Sequence, residues 1–371
     1  MAPLQGITVI DFTELLPGPF LTQSLVELGA KVIKVERPPH GDNARRMAPG
    51  VFNAANRGKH CVAADLKSPR DRAMVVELIR AADVLIESYR PGVMKRLGLD
   101  YETVRSIRED IVYASLTGYG QSGSRALLPG HDLNYQAASG ALALSGLPDG
   151  EPEHVFGLPV ADLCGAVYGL SAVTAALLQR ERTGIGQHLD IAIADCLTHW
   201  VNPRLGAYQA HGIDDLSHQR QDALNKPAYG VFRTADGHDL TVCALENHFW
   251  RQLTQVLDLA PFDSDDYFDF DARARVASEI RSLMKQRIAS WEGAALETAL
   301  KAADVPVLRV VPPNDVLAGA AAVERGLAAA GADGLLVRFP VRLKGMNDIE
   351  VPARPEDYGA ILDDGEPGCR F

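Results

Sequence analysis

Two stretches of this chain carry proton-transfer groups inside otherwise apolar sequence. Gly130-His131-Asp132-Leu133-Asn134-Tyr135 sets a histidine after a glycine and ahead of a small-residue run. Farther along, Pro159-Val160-Ala161-Asp162 places an acid just before Cys164, Gly165 and Ala166. Burial moves both kinds of group toward neutrality, where each can donate or accept a proton. The plainer reading makes either aspartate a helix N-cap and gives the histidine a satisfied core hydrogen bond. Cys164, two residues beyond Asp162, reads as a buried, inert small residue rather than a nucleophile.

The surrounding elements must position these groups. Strand-like runs at 7–11, 32–36, 62–66, 84–87 and 111–115 alternate with helical stretches at 20–28, 68–82 and 97–109. This alternation predicts a mainly parallel α/β sheet, Rossmann-like, with functional loops at the carboxyl ends of its strands. The G-x-G-x-x-G fingerprint is missing after the first strand, which argues against a plain dinucleotide site. Residues 137–178 are rich in Ala, Gly and Leu and predict closely packed helices. A hairpin around Asp236-Gly237 opens a smaller α+β domain. The expected division is a large domain over 1–194, a connector over 195–225 and a small domain over 226–317. The tail 318–371 is expected to pack back onto the large domain.

Composition narrows the function. A 371-residue chain is long for one core. Its formal charge of -11 argues against a nucleic-acid partner bound through a basic surface. Cys61, Cys164, Cys196, Cys243 and Cys369 form no C-x-x-C pair, which fits reduced thiols and a cytoplasmic location. Histidine spacing supports no metal site. The apolar runs predict no membrane span, and the first residues lack a signal-peptide pattern. Basic residues nevertheless fall near the expected strand ends: Arg37, Asn56-Arg57-Gly58-Lys59 before Asp65-Leu66-Lys67, and Ser88-Tyr89-Arg90 with Arg96 beyond. Such positions suit the phosphates of an anionic ligand. Solvated surface ion pairs are the plainer reading.

Several segments together carry a family resemblance. They are Leu28-Gly29-Ala30-Lys31-Val32-Ile33-Lys34-Val35-Glu36-Arg37-Pro38, Asn56-Arg57-Gly58-Lys59, Glu87-Ser88-Tyr89-Arg90-Pro91-Gly92-Val93 and Gly118-Tyr119-Gly120-Gln121. Tyr229-Gly230-Val231-Phe232-Arg233-Thr234-Ala235-Asp236-Gly237 and Ala244-Leu245-Glu246 add to them. With these, the chain resembles the family III CoA transferases (CaiB/BaiF), and within them the α-methylacyl-CoA racemases. The resemblance implies CoA thioester substrates, no tightly bound cofactor, and an interlocked homodimer of ring-shaped subunits. It implies CoA contacts at Arg37, at Ala64, Asp65, Leu66 and Lys67, at Ser88, Tyr89 and Arg90, at Arg96, and at Gly130, His131, Asp132, Leu133, Asn134 and Tyr135. It also implies a general acid/base pair, His131 and Asp162, with an assisting Glu246. Transferases of the family usually have an aromatic residue in place of His131 and use the aspartate as nucleophile. Racemases commonly have an asparagine where this chain has Leu158.

The resemblance therefore implies epimerisation next to a thioester carbonyl of a 2-methyl-branched acyl-CoA. The alternative is CoA transfer between carboxylic acids through an aspartyl-CoA on Asp162. Epimerisation needs a base on one face of the α-carbon, an acid on the other, and donors for the enolate oxygen. Backbone N–H groups at the helix start around Asp162 are the expected donors.

Overall fold

A computed structural model describes residues 2–154, 157–343, 351–352 and 355–357. The chain divides into two compact units. The first comprises residues 1–142, 154–204 and 317–371; the second comprises 143–153 and 205–316. Of the expected connector 195–225, residues 205–225 thus fall in the second unit together with 143–153, and 195–204 in the first. The C-terminal end of the expected tail, with Cys369, lies outside the described residues.

The first unit is built on a seven-stranded sheet. Its strands are β1 (Thr8–Phe12), β2 (Lys31–Glu36), β3 (His60–Ala63), β4 (Val84–Glu87), β5 (Val112–Thr117) and β6 (Gln187–Ala192). In chain order these precede β7 (Tyr229–Arg233), β8 (Asp239–Cys243), β9 (Val307–Arg309), β10 (Ala328–Gly331), β11 (Gly334–Val337) and β12 (Glu356–Asp357). The order β12-β3-β2-β1-β4-β5-β6 is parallel throughout. Residues alternate between two cores, as the two-residue period of a strand requires. Val9, Val84, Ile86, Val112 and Ala114 enter one core with Leu21 and Leu25 of the helix Pro17–Glu27. Ile10, Leu85 and Tyr113 enter the other with Val75 and Ile79 of the helix Pro69–Arg80. Strand order reverses between β1 and β4, and such a reversal opens a crevice at the carboxyl ends.

Three expectations need correction. Strand β3 stops at Ala63 rather than running to 66. The Asp65 carboxylate accepts the Lys67 N–H at 3.0 Å and its carbonyl accepts the Ser68 N–H at 2.7 Å, which turns the chain. The region 137–178 is not helical throughout. Its residues 143–153 loop into the second unit, where the buried Arg220 guanidinium donates to the carbonyls of Ala143, Leu147 and Gly150 at 2.6–3.0 Å. Finally, among the described residues one helix, Val160–Thr183, is long and apolar enough to cross a membrane by length and composition, with a mean hydropathy of 1.6 over its most apolar 18 residues. Its small residues Ala161, Gly165, Ala166, Gly169 and Ala176 are buried. A Cβ at Gly169 would meet Leu21 Cδ1 at 2.2 Å, so the glycine makes room for the Leu21 side chain of the helix Pro17–Glu27.

In the second unit, β7, β8 and β9 form an antiparallel sheet. Helices Asn247–Leu257, Ala277–Ile288 and Gly293–Ala302 supply Leu253, Met284 and Leu296 to a core shared with Phe232, Leu240 and Val242. Residues 289–292 separate two of these helices, because Trp291 O accepts the Ala235 N–H and Asp236 Oδ1 accepts the Gly293 N–H. β10 and β11 pair as a separate hairpin within the first unit.

Candidate active site

Asp162 sits in the first turn of the helix Val160–Thr183. That turn is capped from another element. Asp132, first residue of the helix Asp132–Ala138, accepts the Ala161 and Asp162 N–H groups on Oδ1 at 2.8 and 3.1 Å. Gln136 holds its Oδ2 at 2.6 Å. The backbone donors expected for an enolate oxygen are therefore already engaged. Asp132 also acts electrostatically: burial raises the Asp162 carboxyl to about 7, and the Asp132 charge adds to that rise.

His131 is the residue before the same short helix, and its N–H donates to Asn134 Oδ1 at 3.0 Å. Tyr135 closes this turn by donating its hydroxyl to Gly130 O at 2.6 Å. A Cβ at Gly130 would meet the Tyr135 ring at 2.6 Å, so the Gly-His step admits no larger first residue without movement of that ring.

The loop after β1 is held by buried charges. Lys34 Nζ donates to Thr13 O at 2.6 Å and pairs with Asp42 at 3.0 Å. Asp42 Oδ1 accepts the Leu15 N–H at 3.0 Å, fixing Leu15 in the left-handed region at φ 66°. Asp11 accepts the Thr13 N–H and pairs with Lys59, which also donates to Thr22, Asn56 and Pro19. Arg57 pairs with Glu27. Arg57 and Lys59, read from sequence as candidate phosphate contacts, are thus buried structural cations.

A cavity of about 620 Å³ opens at the strand-order reversal. It brings together Ser88, Tyr89, Arg90, Gly130, His131, Asn134, Tyr135 and Asp162 among the expected residues. Arg37, Ala64, Asp65, Leu66, Lys67, Arg96, Asp132 and Leu133 are not part of its lining. Arg37 follows β2, residues 64–67 follow β3, and Arg96 lies on the helix Val93–Leu97. Glu246 precedes the helix Asn247–Leu257 in the second unit.

Glu14, Leu15, Leu116, Leu128 and Ile193 also line the cavity and were not anticipated. For Glu14 the available signal was an acid two residues after the first strand, ahead of Pro17-Gly18-Pro19. Burial pushes its carboxyl up and Asp42 adds to this, while Lys34 and Arg37 oppose it. Cys164 is buried, and desolvation raises its thiol to about 12, too high for a thiolate nucleophile at neutral pH. Among the described residues, no cluster of three or more His, Cys, Asp or Glu is placed to hold a metal ion.

Comparison with known proteins gives the family. Residues 4–358 match CoA-transferase family III. The chain is 34% identical over 375 residues to an acetyl-CoA:oxalate CoA-transferase of Acetobacter aceti, covering 97% of this chain and 95% of that one. It is also 34% identical over 263 residues to the alpha-methylacyl-CoA racemase of Homo sapiens, covering 69% and 65% respectively. A CAIB/BAIF family protein from Brucella suis superposes with a TM-score of 0.84 at 29% identity, covering 98% of each chain.

Proposed function

This chain belongs to CoA-transferase family III, and on that premise we propose that it epimerises the α-carbon of a 2-methyl-branched acyl-CoA. The observation that carries this reading is that His131 and Asp162 line one cavity; burial there raises the Asp162 carboxyl to about 7. A neutral imidazole takes the α-proton, and the C–H electron pair moves onto the thioester oxygen as an enolate. The protonated Asp162 then delivers its proton to the opposite face. The reverse direction starts from imidazolium and carboxylate, so the working pair carries one proton in total. With two backbone donors engaged by Asp132, Asn134 and Tyr119 offer the N–H and O–H groups for the developing charge. The apolar lining from Leu15, Leu116, Leu128 and Ile193 suits a hydrocarbon chain.

CoA contacts at Arg37, residues 64–67 and Arg96 are part of the proposal and rest on the resemblance. So does the interlocked homodimer, in which Glu246 of the partner subunit assists His131.

A second reading is CoA transfer, supported by the transferase relatives and by Leu158. The Asp162 carboxylate would attack the thioester carbonyl, releasing CoA thiolate and leaving a mixed anhydride. The thiolate would then attack the aspartyl carbonyl, releasing the free acid and leaving aspartyl-CoA. Hydroxylamine trapping followed by intact-mass analysis separates the two. Epimerisation leaves Asp162 unmodified after incubation with acyl-CoA; a hydroxamate at Asp162 establishes the transferase.

A further inference from the structure

Ser88, Tyr89, Arg90 and Pro91 form one wall of the 620 Å³ cavity. Behind this wall lies a second cavity of about 190 Å³, lined by Glu87, Arg90, Pro91, Tyr101, Ser115 and His188 among others. Arg90 and Pro91 border both cavities. Tyr89 packs partly buried against the core of Ile10, Leu85 and Tyr113, while Arg90 and Pro91 have open space on both sides, so the hydrogen bonds at the start of the loop set its course.

Glu87 supplies them. It is the last residue of β4, 3% exposed, and does not line the larger cavity. Its Oε2 accepts the Tyr89 N–H at 2.8 Å. Ser115, its register partner on β5, hydrogen-bonds the same carboxyl. Ser115 Oγ lies 3.0 Å from His188 Nε2. Ser115 has one hydrogen to give. If Glu87 receives it, His188 must donate to Ser115 from Nε2–H. The His188 ring is fixed by stacking on Tyr101 at 5.2 Å and by edge contact with Tyr113 at 5.3 Å. A chain of donors thus runs from a fixed ring on β6, through β5, to the carboxyl that takes the Tyr89 amide.

We infer that Glu87 is a positioning residue, whose Ser115- and His188-anchored carboxyl fixes the Ser88–Pro91 wall in the shape that receives the CoA moiety. The CoA part of this inference rests on the function proposed above; the fixing of the loop does not.

The test compares Glu87→Leu, Glu87→Gln and Ser115→Ala with wild type by amide hydrogen exchange of the segment holding Tyr89 and by titration with free CoA. Leucine leaves the Tyr89 N–H unpaired, a loss worth roughly a 5- to 100-fold change in an equilibrium. Tyr89 exchange should accelerate by about that factor and the CoA dissociation constant should rise in step. Turnover at saturating acyl-CoA should stay within roughly 2-fold, because wall contacts are made equally in ground and transition states. Glutamine keeps an acceptor for Tyr89 and should restore both quantities. Unchanged exchange in Glu87→Leu overturns the inference, as does a fall in saturated turnover with unchanged CoA affinity. If Glu87→Leu fails to fold, Ser115→Ala decides: a shift of the same sign is expected, and no shift in either quantity overturns it. Wild type that does not bind CoA removes the CoA part of the inference along with the proposed function, and exchange alone then decides the role of Glu87 in the loop.

Discussion

At Asp162 two effects act together, burial first and the Asp132 carboxylate second, to raise its carboxyl to about 7. The protonated acid therefore prevails below that pH and the carboxylate above it. Because the active pair carries one proton, kcat/KM should be bell-shaped in pH and alike for the two enantiomers. Asp132→Asn keeps an acceptor for the Ala161 and Asp162 N–H groups but removes the charge. It should move the bell to lower pH. The check is the pH profile of kcat/KM, repeated in Glu87→Gln because burial also raises Glu87 to about 7. A profile that stays put, or moves upward, contradicts the electrostatic role of Asp132. From sequence, His131 and Asp162 stood out as proton-transfer groups in apolar surroundings. The clamp by Asp132 did not, because it joins residues thirty apart through a contact that only the folded chain makes.

Among the elements, β4 was readable at both ends, since the apolar run Val84-Leu85-Ile86 with Glu87 is bounded by Asp83 and Ser88. β3 was not, because its end is set by the Asp65 turn rather than by hydrophobicity. The basic cluster at 56–59 was misread for a similar reason. Lys59 is buried because Asp11, far away in sequence, pairs with it at 3.2 Å. Burial alone would raise Asp11, but Lys34 and Lys59 outweigh it and hold the carboxyl well below the usual carboxylate range. Removing one partner of such a buried network strands the other charge. Lys59→Met should therefore destabilise the protein by about 3–5 kcal/mol. It should also loosen the Thr13–Leu16 loop. Denaturant unfolding measures the first effect; a midpoint equal to that of wild type contradicts the assignment.

For the whole molecule, the strand order explains why the site is where it is. The reversal between β1 and β4 puts Glu14, Leu15 and the Ser88–Pro91 loop around one crevice, with His131 and Asp162 beside it. Sequence alternation was enough to expect a parallel sheet and loops at its carboxyl edge, but not the order of its strands. Assembly is testable by complementation. If each site takes Asp162 from one subunit and Glu246 of the partner subunit, Asp162→Ala and Glu246→Ala proteins are each inactive. Joint refolding makes about half of the dimers hybrid, each with one intact site, and so restores about a quarter of wild-type activity. Mixing the folded dimers should restore little if the subunits interlock. No recovery after joint refolding, or a fully active monomer in sedimentation, contradicts the shared site.

The central claim is α-proton transfer, and isotope exchange tests it most directly. One enantiomer of a 2-methylacyl-CoA is incubated with the protein in deuterium oxide, with no carboxylate acceptor present, and the α-position is followed by NMR and mass. Epimerisation requires deuterium to enter the α-carbon as optical purity is lost. An α-hydrogen that stays in place, with CoA moving only when a second carboxylate is added, contradicts the claim.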